Sequence, residues 1–281
     1  MREIHISEIT RKVKQLFLKA SYHIPSDVLA ALESGKCKDK SPIGVAVLGQ
    51  LCDNNYLAAD ESIPICQDTG VAILFIEYGQ EVCTVGGTFH DAVNEGVRQA
   101  YSDGYLRKTV IYDPLFDRRN TRDNTPAIIH TKIVPGTQVK IDAIPRGFGG
   151  ENMSQVKILV PADGLEGVKK FILRAVDEAG PNACPPVVVG VGIGGDLELA
   201  CEYAKRATFR GCNSHNSNPE YANLEKELLA EINKLGIGAA GLGGTTTALA
   251  VNIEYYPTHI ASIPVAVNIC CHAARHASSI I

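Results

Sequence analysis

The run "PPVVVGVGIGGDLELACEYAKRA" constrains this 281-residue chain more than any other stretch. A β-branched apolar segment studded with glycine passes straight into an amphipathic one, the pattern of a buried strand, a turn and a helix. Gly190, Gly192 and Gly195 satisfy G-x-G-x-x-G. Three readings compete: a dinucleotide site, an anion or carboxylate site at the helix N-terminus, and a turn whose glycines let strand and helix pack closely. A dinucleotide fold also needs a further strand ending in an acidic residue. The polar "RGCNSHNSNPEY" stands there instead, so close packing is favoured.

The rest of the pattern fits an α/β (α+β) fold, with mixed β-sheets flanked by helices and an N-terminal helical cover. Ile6, Ile9, Val13, Leu16, Phe17 and Ala20 recur at helical spacing, and "PSDVLAALESGK" offers a Ser26 cap and a Gly35 stop. A helix is expected from about Thr88 to Tyr101, and loop over "DRRNTRDNTP". "TQVKIDAIP" and "SQVKILVP" read as strands flanking the glycine-rich "RGFGGENMS". Further helices are expected at "DGLEGVKKFILRAVDEAG" and after Pro219, with strands at "TTTALAVNIEYY" and "HIASIPVAVNICC". No repeat or linker interrupts the chain, so residues 1–281 are expected to form a single domain whose first 60 residues are mainly helical.

A formal charge of −4, without a Lys/Arg run longer than two, leaves no broad basic surface for nucleic acid or an anionic membrane. The charged N-terminus lacks the apolar core of a signal peptide, which points to a cytoplasmic protein. The uncharged window from Leu235 to Ile253 has membrane-spanning length, but its glycines and threonines suit a buried turn and strand.

Nine cysteines in such a chain fit disulfide pairing poorly. Cys37, Cys52, Cys83 and Cys201 fall on regular elements and suit a small apolar role, whereas Cys212, in a polar loop, is open between roles. Cys66, Cys184 and Cys271 differ: "IPICQDTG", "PNACPPVVV" and "NICCHAARH" set them at strand or loop edges beside breakers and polar groups. Far apart in sequence, they make no local zinc finger; the tertiary fold must assemble any site they share. Three converging thiolates suit an iron–sulfur cluster better than catalytic zinc, and leave one iron open as a Lewis acid. The histidines say less: His259 precedes a strand, and His272 and His276 lie one turn apart only if "CHAARHASS" is helical. "GLGGTTTAL" is open between a tight turn and a contact with substrate.

Through "CQDTG", "GGENMS", "NACPPVVVGVGIGG", "GLGGTTTALAV" and "HIASIPVAVNICCHAARH", nearly the whole chain resembles the iron–sulfur class I fumarate hydratases, in particular the α subunit of their two-subunit form. The resemblance implies a [4Fe-4S] cluster held by Cys66, Cys184 and Cys271, with Cys271 rather than Cys270 as ligand because it directly precedes "HAARH". It implies that Gln67 binds substrate and that Asp68 is a candidate proton-transfer group, although the base could instead come from a partner. Arg107 matches the carboxylate-binding arginine, Gly149 or Gly150 the glycine whose backbone approaches substrate, and His259 the histidine at the substrate edge. The expected partners are a separate β subunit, a small dicarboxylate (fumarate or L-malate) and further copies in an oligomer. The sister family of iron–sulfur L-tartrate dehydratases shares the cysteine motifs; "GGENMSQVK" and "GGTTTA" favour fumarate over tartrate. A non-catalytic nucleotide-binding or scaffold subunit is the remaining alternative.

Overall fold

In the computed structural model, which describes residues 1–281, the chain begins with β1 (Arg2–His5), α1 (Ile6–Tyr22), α2 (Ser26–Lys38) and α3 (Pro42–Glu61). There follow β2 (Val71–Gly79), β3 (Val82–Val85), α4 (Phe89–Asp103), β4 (Ile128–Val134), β5 (Val139–Arg146) and α5 (Phe148–Glu151). The remainder comprises β6 (Gln155–Leu159), α6 (Gly164–Ala179), β7 (Val187–Gly195), α7 (Leu197–Ala207), α8 (Pro219–Lys234), β8 (Ala248–Thr258), β9 (Ile263–Cys270) and β10 (Ala277–Ile280). The α/β class read from the sequence is the class observed. The chain divides into two compact units: Met1–Pro25 with Asn55–Phe148 and Arg275–Ile281, and Ser26–Asn54 with Gly149–Ala274.

In the first unit the strands run in the order β10-β5-β2-β4, with β2 parallel to β4 and antiparallel to β5. The run "VAILFIEYG" is buried along most of its length, as a central strand requires. Val13, Leu16 and Phe17 of α1 and Val93, Val97 and Tyr101 of α4 share its core. Gly96 brings the two helices together, because a Cβ there would stand 2.7 Å from the Thr10 carbonyl oxygen. Thr88 caps α4, its hydroxyl accepting the Asp91 N–H at 3.1 Å. The first residues form a strand where helix was expected: β1 pairs in parallel with β3. Only a partner eighty residues away makes that segment extended, so local pattern could not show it.

In the second unit the order is β6-β9-β7-β8, with β7 parallel to β8 and antiparallel to β9. Gly190 and Gly192, two apart, share one face of β7, and α7 lies against it. A Cβ at Gly190 would stand 2.1 Å from the Ala204 carbonyl oxygen, and one at Gly192 2.0 Å from that of Ala200. The glycines are therefore there for close packing, with the small Ala200, Ala204 and Ala207 buried opposite. The helix end is already occupied, since Asp196 Oδ1 accepts the Leu199 N–H at 2.9 Å. That cap removes the anion-site reading, and the loop after α7 removes the dinucleotide reading. The opposite face of the sheet is filled by α6 and α8 through Ile172, Val176, Leu224, Leu228 and Ile232. No helix is long and apolar enough to cross a membrane; the uncharged window from Leu235 onward is a turn leading into β8.

Candidate functional site

The turn "ICQDTG" of the first unit is built almost entirely from side chains that bind its backbone. Ile65 is buried, and its N–H donates to the Ser21 carbonyl at 3.0 Å. The buried Tyr101 hydroxyl donates to the carbonyls of Thr69 and Gly70 at 2.8 and 3.0 Å, and burial raises its pKa above the ordinary tyrosine value. Asn124 Nδ2 adds a bond to the Gly70 carbonyl at 3.0 Å. Gly70 is required, because at φ 75° it lies in the left-handed region and a Cβ would meet the Arg146 backbone at 2.4 Å.

This scaffold presents the expected residues. Cys66 is a free thiol whose Sγ accepts the Asp68 N–H at 3.4 Å. The Asp68 carboxylate is oriented at both oxygens, Oδ1 by the Gly70 N–H at 3.0 Å and Oδ2 by the Phe148 N–H at 2.9 Å. Gln67 is exposed beside the sulfur. The exposed Arg107 is tied to the turn through its own carbonyl, which accepts the Thr69 hydroxyl at 2.9 Å. Cys66, Gln67, Asp68 and Arg107 therefore form one local group.

A second group lies in the second unit, at the start of β7 and the end of β9. Cys184 adopts φ 54°, ψ 60° after a tight 3-10 turn, a left-handed conformation costing roughly 1–2 kcal/mol in a residue with a Cβ. The His272 N–H donates to the Cys184 carbonyl at 3.3 Å, which sets the segment after Cys271 beside Cys184. Gly149 and Gly150 of "RGFGGENMS" both serve this corner. A Cβ at Gly149 would stand 3.5 Å from Cys184 Sγ, and one at Gly150 3.0 Å from the Cys271 N and 2.5 Å from the Ile269 carbonyl oxygen. Ser154 Oγ accepts the Ile269 N–H at 3.1 Å, and Asn268 Nδ2 donates to Glu151 Oε2 at 3.1 Å. Glu151 also pairs with Lys205. This glycine-rich segment contains the short helix α5. Cys271 is the first residue beyond β9 and half-buried, whereas Cys270 belongs to the strand and is only 8% exposed.

His259 does not join either cysteine-bearing segment of this unit. It sits in the exposed turn before β9, where its Nδ1 accepts the Ala261 N–H at 3.2 Å. The eight residues of β9 separate it from Cys271, about 25 Å at the ordinary rise of a strand. "CHAARHASS" is extended rather than helical, so His272 and His276 are not one turn apart. Cys212 resolves as structural: its N–H donates to Asp27 at 2.7 Å, and burial pushes its thiol up to about 12. No group of three or more His, Cys, Asp or Glu side chains stands ready to hold a single metal ion. A cubane asks for something different, one thiolate at each of several irons.

The "GLGGTTTAL" turn is held by a residue that local sequence reading missed. Asp39 accepts the N–H groups of Thr245 and Thr246 at 3.1 and 2.9 Å through Oδ2, and that of Ser41 at 2.8 Å through Oδ1. Burial alone would raise its pKa, but the bonds from Ser41, Thr246 and Thr245 outweigh that and hold it below the usual carboxylate value. This turn also supports the Cys184 corner: Ala240 N–H donates to the Pro185 carbonyl at 2.8 Å, and a Cβ at Gly241 would stand 2.3 Å from that of Pro181. We expect Asp39→Ala to lower stability by about 1–3 kcal/mol at neutral pH. A depressed folded pKa gives stability that is present above the unfolded value and lost as pH falls through the folded one. Wild type and variant should therefore converge in urea midpoints as pH drops below about 4.

The fumarate hydratase (Fumerase) family model matches residues 10–280. The chain is 41% identical over 274 residues to a protein of Methanocaldococcus jannaschii named putative L(+)-tartrate dehydratase subunit alpha, with 96% of each chain covered. It is 31% identical over 278 residues to the L(+)-tartrate dehydratase subunit alpha of Escherichia coli, covering 98% of this chain and 91% of that one. Matched almost from end to end in both ways, this chain belongs to the fumarate hydratase (Fumerase) family of hydro-lyases.

Proposed function

We propose that the chain is the α subunit of an iron–sulfur hydro-lyase that dehydrates a four-carbon hydroxy-dicarboxylic acid, with L(+)-tartrate as the leading substrate and a separate β subunit completing the site. The observation that carries this reading is the match, over nearly the full length, to relatives named as α subunits of L(+)-tartrate dehydratase. It moves the fumarate expectation to second place. The residues behind that expectation are also occupied elsewhere: Thr246 and Thr247 are 7% and 1% exposed, Thr247 Oγ1 accepts the Gly238 N–H at 3.1 Å, and Glu151 is engaged by Lys205 and Asn268. Side chains turned into the scaffold are weak discriminators between two diacids. Fumarate hydration remains the second reading because the family model bears that description.

The donor set suits a [4Fe-4S] cluster, which Cys66, Cys184 and Cys271 would hold. Gly149 leaves room at the Cys184 sulfur, the Asp68 N–H fixes the Cys66 sulfur in its turn, and Cys271 is the accessible member of its pair. When bound, such a cluster supplies a Lewis-acidic iron for the departing hydroxide. The chain's own residues supply the rest. Asp68, fixed at both oxygens, can hold or accept a proton at its carboxylate. Arg107 can grip a substrate carboxylate by two parallel hydrogen bonds, and the Gln67 amide can orient a hydroxyl. Gly149 and Gly150 keep the backbone beside the cysteines clear of side chains.

The test is turnover by the αβ complex, purified and reconstituted without oxygen. L(+)-tartrate should be dehydrated with a kcat/KM at least about 10-fold above that for L-malate, a pocket difference of roughly 1.4 kcal/mol. The reverse ratio would restore the fumarate reading. Turnover of neither by a complex replete in iron and sulfide would overturn both.

A further inference from the structure

The residues after Ala274 return to the first unit, and the first of them, Arg275, is only 2% exposed. A guanidinium stays charged at any working pH, so burying one is costly unless its N–H groups are met. Here Nη2 donates to the Asp68 carbonyl oxygen at 2.5 Å, while Nε and Nη1 are buried without a hydrogen-bond partner. Gly147 keeps the contact close: a Cβ there would stand 3.3 Å from Asp68 Oδ2 and 3.5 Å from Arg275 Nη2. Both carboxylate oxygens of Asp68 are already engaged by main-chain N–H groups. The hydrogen bond from Arg275 is therefore to the backbone of the turn and leaves the acid free to act.

For stability alone this is a poor arrangement, because a buried charge with unmet donors can be replaced by an apolar side chain of similar size at little cost, or with a gain. What the guanidinium provides is a fixed carbonyl at Asp68, two residues after Cys66. Resting on the hydro-lyase reading above, we propose that Arg275 is a positioning residue for the Cys66–Asp68 turn. It holds the thiol and the carboxylate in their working orientation, and the fold would be as stable without it.

The test compares Arg275→Met and Arg275→Lys with wild type in the αβ complex. Arg275→Met should lower kcat by about 10²-fold, the scale of a small misplacement of reacting groups, with KM changed by less than about 3-fold. Its melting temperature should equal or exceed that of wild type. Arg275→Lys, which keeps one charged donor, should recover part of kcat. In the metal-free complex, iodoacetamide should alkylate Cys66 faster in Arg275→Met than in wild type, with Cys184 and Cys271 unchanged. Unaltered kcat and Cys66 alkylation would overturn the proposal. So would a methionine variant that melts early or fails to fold, which would make Arg275 structural, or a rise in KM at constant kcat, which would make it a substrate contact. Melting and alkylation need no turnover, so they decide the role of Arg275 even if the complex acts on neither diacid.

Discussion

Serine in place of Cys184 should strip the α chain of its iron-dependent visible absorbance and lower turnover by at least about 10³-fold, the consequence of losing a Lewis acid worth several kcal/mol. Cys184 is the most telling of the three positions, because its backbone is held in the left-handed region and a glycine leaves its sulfur uncovered. Nothing in core packing asks for either feature. Cys270→Ser is the matched comparison. That residue is buried in β9 one position before Cys271, so its loss should cost stability by about 1 kcal/mol and leave iron content and absorbance as in wild type. Absorbance lost with Cys270→Ser and kept with Cys271→Ser would reassign the ligand.

Gly192→Ala should be severely damaging to the second unit. The added methyl would stand 2.0 Å from the Ala200 carbonyl oxygen and 2.6 Å from the Ala204 N, both backbone atoms of α7. No rotamer change relieves such a clash, so β7 and α7 must separate and the alanine-lined seam opens. A cost of at least about 3 kcal/mol is expected, read as a fall of roughly 6–12 °C in melting temperature. Gly49→Ala sets the contrast. It lies within α3 with only the end of the Lys36 side chain nearby, at 3.6 Å, and alanine there should be neutral or stabilising by about 0.5–1 kcal/mol. Equal melting temperatures for Gly192→Ala and wild type would contradict the packing account.

These two cases also show how far the sequence could be read. The spacing of Gly190 and Gly192 on an apolar run is a local signal, and period-two geometry suffices to set both on one face beneath a helix. The helix starts near Thr88 and at Pro219 were equally legible, since the caps there, Thr88 and Asn218, act within two or three residues of themselves. What escaped are the residues that hold a turn from far away. Asp39 binds Thr246 across 207 positions, Arg275 binds Asp68 across another 207, and Tyr101 grips Gly70 across 31. Nothing in the neighbourhood of "KCKDKS" or "HAARH" marks the partner. The two compact units were also hidden, because two of the chain's crossings between them fall in α3 and at the start of α5 rather than in a Pro- or Gly-rich linker. The candidate site shows the same division. The local motif "CQDTG" could be singled out directly and the glycine pair by resemblance, while His259, carried over by the same resemblance, stands a strand's length from the cysteine-bearing segments of its own unit.

Iron and acid-labile sulfide, counted per α chain after oxygen-free purification of the αβ complex, test the account most directly. Wild type should hold about four of each, and the Cys66→Ser, Cys184→Ser and Cys271→Ser chains should each lose most of both. Dehydration of tartrate or malate by a complex without iron and sulfide, or a full complement of both in all three serine variants, would contradict it.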